Sequence, residues 1–175
     1  MGPTEDMSSK TLAPDRFPEA RMASNVLKIC LVASAGGHMT QLRNVSKAWD
    51  EQETVWITTG RMLANSLPRG DRFYAVGECN RQRPLRVLAV LLRCVPIVLR
   101  EKPDVVISTG AAVGCMVCLL AKLIGAKVVW IDSITNVEHL SLSGRLIRPF
   151  ADLLLVQWPE LAKQYRKAEY AGSVI

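Results

Sequence analysis

Along this chain, short continuous apolar runs alternate with longer stretches whose apolar residues recur at intervals of three and four. The first run, Val26–Ala33 (VLKICLVA), leads into Ser34-Ala35-Gly36-Gly37-His38, which predicts a strand followed by a tight turn. Met39–Trp49 then places Leu42, Val45 and Trp49 on one helical face. Thr54–Thr58 (TVWIT) is β-branched and strand-like, and Arg72–Val76 is a weaker strand after the turn residues Pro68-Arg69-Gly70-Asp71. Pro84–Arg100 has the length and composition of a helix; Pro84 suits its first turn, whereas Pro96 is expected to kink or break it. After Lys102-Pro103-Asp104, Val105–Ser108 (VVIS) reads as strand and Thr109–Gly114 as a second glycine-containing turn. Cys115–Ile124 reads as a helix stopped by Gly125. Lys127–Ile131 (KVVWI) and Asp152–Val156 (DLLLV) complete the strands, with short helices over Ser141–Phe150 and Pro159–Gln164.

The strand candidates are apolar throughout, as strands covered on both faces are. Their alternation with helices predicts one doubly wound α/β domain with a parallel sheet, and 175 residues suit a single domain. The domain is expected to occupy Val26 to Ile175. Met1–Asn25 is polar, carries Pro3, Pro14 and Pro18, and lacks the apolar centre of a secretory signal. It reads as a disordered leader or an expression remnant, with Met22 an alternative start. No uncharged apolar run of about 18 residues occurs, so no membrane-spanning helix is predicted.

Composition narrows the partners. A net charge of +6 calls for an anionic one: a phosphorylated substrate, an anionic membrane surface or nucleic acid. Nucleic acid is disfavoured, because the basic residues gather around an apolar helix without interleaved aromatics. The five cysteines (Cys30, Cys79, Cys94, Cys115 and Cys118) are scattered through apolar segments, which points to reduced core residues rather than a disulfide framework. Cys115-x-x-Cys118 has no second Cys or His pair nearby, and neither glycine turn matches a P-loop or a dinucleotide fingerprint, so no metal and no cofactor are expected.

In an open parallel sheet, ligands sit beyond the carboxyl ends of the strands. Three features fall there: Ser34–His38, Thr109–Gly114 and Asp132-Ser133. Glycines at such turns let backbone N–H groups approach a phosphate, and the following helix adds a favourable dipole. Tight turns needed only for packing would look the same. His38 is the sharper clue, since it opens a helix directly after Gly36-Gly37, where an imidazole reaches whatever those glycines hold.

Four motifs occur in order: Ser34-Ala35-Gly36-Gly37-His38; Pro103-Asp104-Val105-Val106-Ile107-Ser108-Thr109-Gly110-Ala111; Asp132-Ser133-Ile134-Thr135; and Ala151-Asp152-Leu153-Leu154-Leu155-Val156-Gln157-Trp158. Together they resemble the acceptor-binding subunit of split GT-B glycosyltransferases. That group includes PssD-type exopolysaccharide and capsule proteins and the Alg-type subunit of the dolichyl-diphosphate GlcNAc transferase. The chain is also similar, more distantly, to the N-terminal half of MurG, the peptidoglycan GlcNAc transferase.

The resemblance implies a Rossmann-like half of a GT-B enzyme that acts in inverting transfer from a UDP-sugar to a polyprenyl-diphosphate-linked saccharide. The sugar implied is glucuronate or galactose by the PssD-type relatives and GlcNAc by the Alg-type ones. It also implies that the nucleotide sugar is bound mainly by a donor-binding partner subunit, so the active species would be a heterodimer at the cytoplasmic face of a membrane. By the same resemblance Ser34, Gly36, Gly37, Thr109, Gly110 and Gly114 would hold the acceptor diphosphate, with His38 near the reacting hydroxyl. Inversion requires a base for that hydroxyl. His38, Asp132 and Glu138 are the candidates, although Asp132 suits a helix cap and Glu138 a solvated surface equally well. The first motif begins Ser-Ala where MurG has Gly-Gly, and the second turn is poorer in glycine.

Leu85–Leu99 (LRVLAVLLRCVPIVL) is nearly all apolar, and Arg86, Arg93 and Arg100 recur every seven residues along it, with Arg81 and Arg83 upstream. It is too short and too charged to span a bilayer, and it suits a helix lying in the membrane plane with arginines at anionic headgroups. A core helix with a wet arginine face is the plainer alternative. A GT-B catalyst has two Rossmann-like domains, of which this chain accounts for one, so the other is expected on a separate polypeptide. Two further classes remain open: a noncatalytic membrane scaffold that recruits a glycosyltransferase, and a self-sufficient small nucleotide-sugar enzyme.

Overall fold

The computed structural model describes residues 26–49, 51–60, 71–79 and 82–174. Strands run over Lys28–Ala33 (β1), Glu53–Thr58 (β2), Arg72–Ala75 (β3), Val105–Ser108 (β4), Lys127–Ile131 (β5), Leu153–Val156 (β6) and Ala168–Tyr170 (β7). Helices run over Gly37–Ser46 (α1), Pro84–Glu101 (α2), Ala111–Leu123 (α3), Leu142–Ile147 (α4) and Pro159–Gln164 (α5). The leader, most of the Pro68–Asp71 turn, and Arg81 lie outside the described residues.

All strand pairs are parallel, in the order β3-β2-β1-β4-β5-β6-β7. This is the doubly wound, Rossmann-like sheet expected of one half of a GT-B glycosyltransferase. Alternation along β1 splits the core in two. Cys30 and Val32 join Val106, Val128 and Trp130 on one face, under α2 and α3. Ile29, Leu31 and Ala33 join Trp56, Ile107 and Ile131 on the other, where α1 contributes Met39 and Leu42. The connection from β1 therefore leaves on one face and that from β4 on the opposite face. The strand order reverses between these two neighbours, and a crevice opens at such a point.

Charged pairs tie the opposite end of the sheet. Glu101, 2% exposed at the end of α2, accepts hydrogen bonds from Arg72 (2.6 Å) and Tyr74 (2.5 Å) and lies 3.8 Å from Lys28. A carboxylate this buried is tolerable only because cations and a hydroxyl surround it. All five cysteines are free, and Cys30, Cys94, Cys115 and Cys118 are buried. Burial raises their thiol pKa values, that of Cys94 to about 11, which leaves them protonated and inert.

Several boundaries differ from the sequence reading. Pro96 neither breaks nor ends α2; it lies on the exposed side, where the carbonyl its missing N–H leaves free is open to solvent rather than buried. Helix α3 starts at Ala111 rather than Cys115, which shortens the second glycine turn to Thr109-Gly110. β7 was not expected: Ala-Glu-Tyr carries no strand pattern, and it is strand only by pairing with the edge of β6.

Candidate functional site

Helices α1 and α3 start side by side at the β1/β4 crevice, each after a glycine that an L side chain would strain. Gly36 has φ 94 and Gly110 φ 132. Neither helix has a side-chain cap or an acidic residue in its first turn. Their first N–H groups and the positive ends of both dipoles are thus left without an internal anion. Helix α4 shows the contrast, since Ser141 Oγ accepts from Gly144 N at 2.8 Å and caps it. At the start of α3, Ala111 holds φ 67, a left-handed conformation that costs an L residue about 1–2 kcal/mol. Such strain concentrates at ligand sites.

The two turns are latched through His38. Its Nδ1 lies 2.8 Å from the Thr109 carbonyl, and Thr109 Oγ1 donates to the His38 carbonyl at 2.6 Å. A carbonyl only accepts, so Nδ1 is the donor and Nε2 of the neutral ring carries a free lone pair. Gly110 lies under the ring; a Cβ there would approach Cε1 to 2.6 Å. The required glycine is thus explained by the histidine it accommodates.

His38 lines a cavity of about 830 Å³. Its polar lining also includes Ser34, Ser133, Thr135, Asn136 and Ser141, while its apolar lining comes from Val87 of α2, Cys115, Met116 and Leu119 of α3, and Leu142 and Leu146 of α4. The space is amphipathic from end to end. Its polar end can take a phosphate on backbone N–H groups beside an imidazole able to accept a proton.

The expected site residues separate in three dimensions. Ser34 and His38 line the cavity, Gly110 packs against the His38 ring, and Gly36 and Gly37 open α1 just before it without lining the cavity themselves. Gly114 does not: it is buried within α3, where a Cβ would collide with Ser108 Oγ, so its role is close packing of helix on strand. Thr109 is fully buried and its hydroxyl is committed to the latch. Asp132, only 1% exposed, accepts from Ser141 Oγ (2.6 Å), Ser141 N (2.9 Å), Trp130 Nε1 (3.1 Å) and Asn136 Nδ2 (3.3 Å). With every lone-pair direction taken it anchors the loop after β5 rather than offering a base, and that loop carries the lining residues Ser133, Thr135 and Asn136. Glu138 is exposed and outside the cavity lining. Glu78, a carboxylate not singled out from the sequence, does line it.

On α2, Val90, Cys94 and Val98 face the core, whereas Leu85 (81% exposed), Leu92 (63%) and Leu99 (52%) lie on the opposite side. The arginines flank that outer stripe, and Arg83, Arg86 and Arg100 are exposed. Arg93 departs from the expectation of a free headgroup contact, because its guanidinium donates to the Val76 carbonyl at 2.9 Å. No helix among the described residues is long and apolar enough to cross a membrane.

Residues 61–174 match the family described as "Oligosaccharide biosynthesis protein Alg14 like". The chain is 31% identical over 167 residues to the UDP-N-acetylglucosamine transferase subunit alg14 of Schizosaccharomyces pombe, covering 80% of each protein. It is 30% identical over 180 residues to the corresponding Homo sapiens subunit, covering 85% of this chain and 83% of that one. Among solved structures, MurG of Acinetobacter baumannii superposes with a TM-score of 0.68 at 17% identity, over 84% of this chain. The match spans less than half of MurG, 46% of its length, as one half of a GT-B fold should.

Proposed function

This chain belongs to the Alg14 family of oligosaccharide biosynthesis proteins, and on that premise we propose that it is the acceptor-binding subunit of a two-subunit, inverting UDP-GlcNAc transferase. The acceptor is a sugar carried on a polyprenyl diphosphate. Among the sugars left open by the sequence, the relatives' names favour GlcNAc over glucuronate or galactose. The observation that carries the reading is the amphipathic cavity with two uncapped helix starts at its polar end.

The acceptor diphosphate is held by backbone N–H groups at the starts of α1 and α3, around Gly36-Gly37 and Gly110-Ala111. The first sugar then projects past His38, whose Nε2 takes the proton of the attacking hydroxyl as the new glycosidic bond forms and UDP leaves with its electron pair. Thr109 holds the ring in the tautomer that makes this possible. Stabilisation of the departing diphosphate falls to the donor-binding partner, whose domain closes the cleft. The outward leucines of α2 and the flanking Arg83, Arg86 and Arg100 seat the domain on an anionic membrane, where the lipid acceptor resides.

Co-expression with a candidate donor-binding subunit, followed by transfer assays with several UDP-sugars, tests the proposal. Activity is expected from the pair with UDP-GlcNAc and from neither chain alone, and His38→Ala in the pair should lower kcat by about 10²–10⁴-fold. Full activity of the His38→Ala pair would instead make the chain a noncatalytic scaffold.

A further inference from the structure

The cavity extends beyond what a diphosphate and a sugar require, and its chemistry changes along the way. Its apolar lining is Val87, Cys115, Met116 and Leu119, with Leu142 and Leu146 at the more exposed side. Cys115, Met116 and Leu119 share one face of α3, and Leu142 and Leu146 are one helical turn apart on α4, so two helices present facing apolar ridges. Among the described residues of the lining, Glu78 is the one carboxylate, and no lysine or arginine is present. The outer edge of this slot is also apolar: Leu142 is 49% and Leu146 58% exposed on α4, and Leu85 is 81% and Leu88 51% exposed on α2, on either side of Val87. An open apolar slot of this kind, continuous with a polar pocket, is rarely left bare on a protein surface.

We infer that the slot between α2, α3 and α4 is a binding site for the isoprene units nearest the diphosphate of the acceptor lipid. The inference rests on the acceptor reading above and adds a tail site to it: the protein lifts the head-proximal part of the prenyl chain from the membrane and holds it. Three features select this occupant. The polar residues beside His38 and the apolar slot line one cavity, so a single molecule with a polar head and an apolar tail can fill both parts. Its walls are flexible and polarisable at Met116 and Cys115, which suits a branched, unsaturated chain. Its exposed leucine rim passes to the outward leucines of α2, which gives the remainder of the chain an apolar path to the bilayer.

The test compares two soluble acceptors with the same diphosphate-linked sugar, one on a farnesyl and one on a butyl chain, assayed without membranes with the co-expressed pair. The wild-type pair is expected to prefer the farnesyl acceptor in kcat/KM by at least about tenfold, as burial of a few methylene groups gives. Leu119→Trp, which fills the slot, and Leu146→Asp, which puts a charge on its rim, should each pull that ratio towards unity. Leu119→Trp is interpreted only if its melting transition survives; Leu146→Asp, at an exposed position, carries the test otherwise. A wild-type ratio near unity, or a ratio that Leu146→Asp leaves intact, overturns the tail site while leaving the acceptor reading standing. Transfer to neither acceptor by the wild-type pair overturns the acceptor reading, and the tail site falls with it.

Discussion

Substitution of Gly110 by alanine separates two effects that a glycine turn usually confounds. At φ 132 and ψ −164 the residue occupies a region open essentially to glycine, so any side chain adds about 1–3 kcal/mol of backbone strain. The new Cβ would also sit 2.6 Å from Cε1 and 2.7 Å from Nδ1 of His38, which forces the ring away and breaks its hydrogen bond to Thr109, worth about 1 kcal/mol. The sum is about 2–4 kcal/mol, a fall in Tm of roughly 5–12 °C for a chain of this size. Two neighbours supply controls. Gly36, at φ 94 and ψ −144 with nothing within 4 Å, should show strain alone, about 1–3 kcal/mol. Gly37, with ordinary φ and nothing within 4 Å, should tolerate alanine within about 0.5 kcal/mol. Urea denaturation of the three variants orders them, and transfer by the pair should fall about 10²-fold for Gly110→Ala because the imidazole is displaced. Equal stability of Gly110→Ala and Gly37→Ala would refute the reasoning.

Asp132→Asn should destabilise the fold by about 2–3 kcal/mol, since an amide nitrogen would face donors that the carboxylate now accepts from; a loss of transfer with unchanged urea midpoint would restore Asp132 as a base. The Lys122 ammonium, 2.6 Å away, and the Val128 N–H hold the Asp152 carboxyl down at about 2, below its ordinary 3.8. A lowered folded pKa stabilises above the unfolded value, so this contribution is present near neutrality and lost as pH falls from about 4 to about 2. Part exposure of the pair limits it to about 1 kcal/mol, and urea midpoints of wild type and Asp152→Asn should converge in acid. Joint replacement of Arg83, Arg86 and Arg100 by glutamine should release the protein from anionic vesicles in a sedimentation assay while leaving its Tm within a few degrees; unchanged binding would remove α2 from the membrane contact. Arg93→Gln, by contrast, should lower Tm, because its guanidinium holds the Val76 carbonyl.

Much of this molecule is written locally. Continuous apolar runs at Val26–Ala33, Thr54–Thr58, Val105–Ser108, Lys127–Ile131 and Asp152–Val156 specify buried parallel strands, because only strands covered on both faces lack alternation. The order of four motifs pointed to a group that includes the Alg-type subunits, the part of the resemblance that the family match supports, and His38 does line the cavity. Local signals could not say which glycine of the second turn serves it. Gly110 and Gly114 lie four residues apart, yet one supports His38 and the other packs on Ser108, a distinction made by where α3 begins. The latch between His38 and Thr109 spans 71 residues and exists only because β1 and β4 became neighbours in the sheet. Asp132 looked available until Ser141, nine residues on, folded back and occupied it. The apolar slot has no signature in any one segment, since its walls come from three helices whose leucines each resemble ordinary core positions. Chain order determines strands, turns and chemistry within a few residues; burial, hydrogen-bond saturation and cavities arise from contacts between distant segments, and those the packing alone decided.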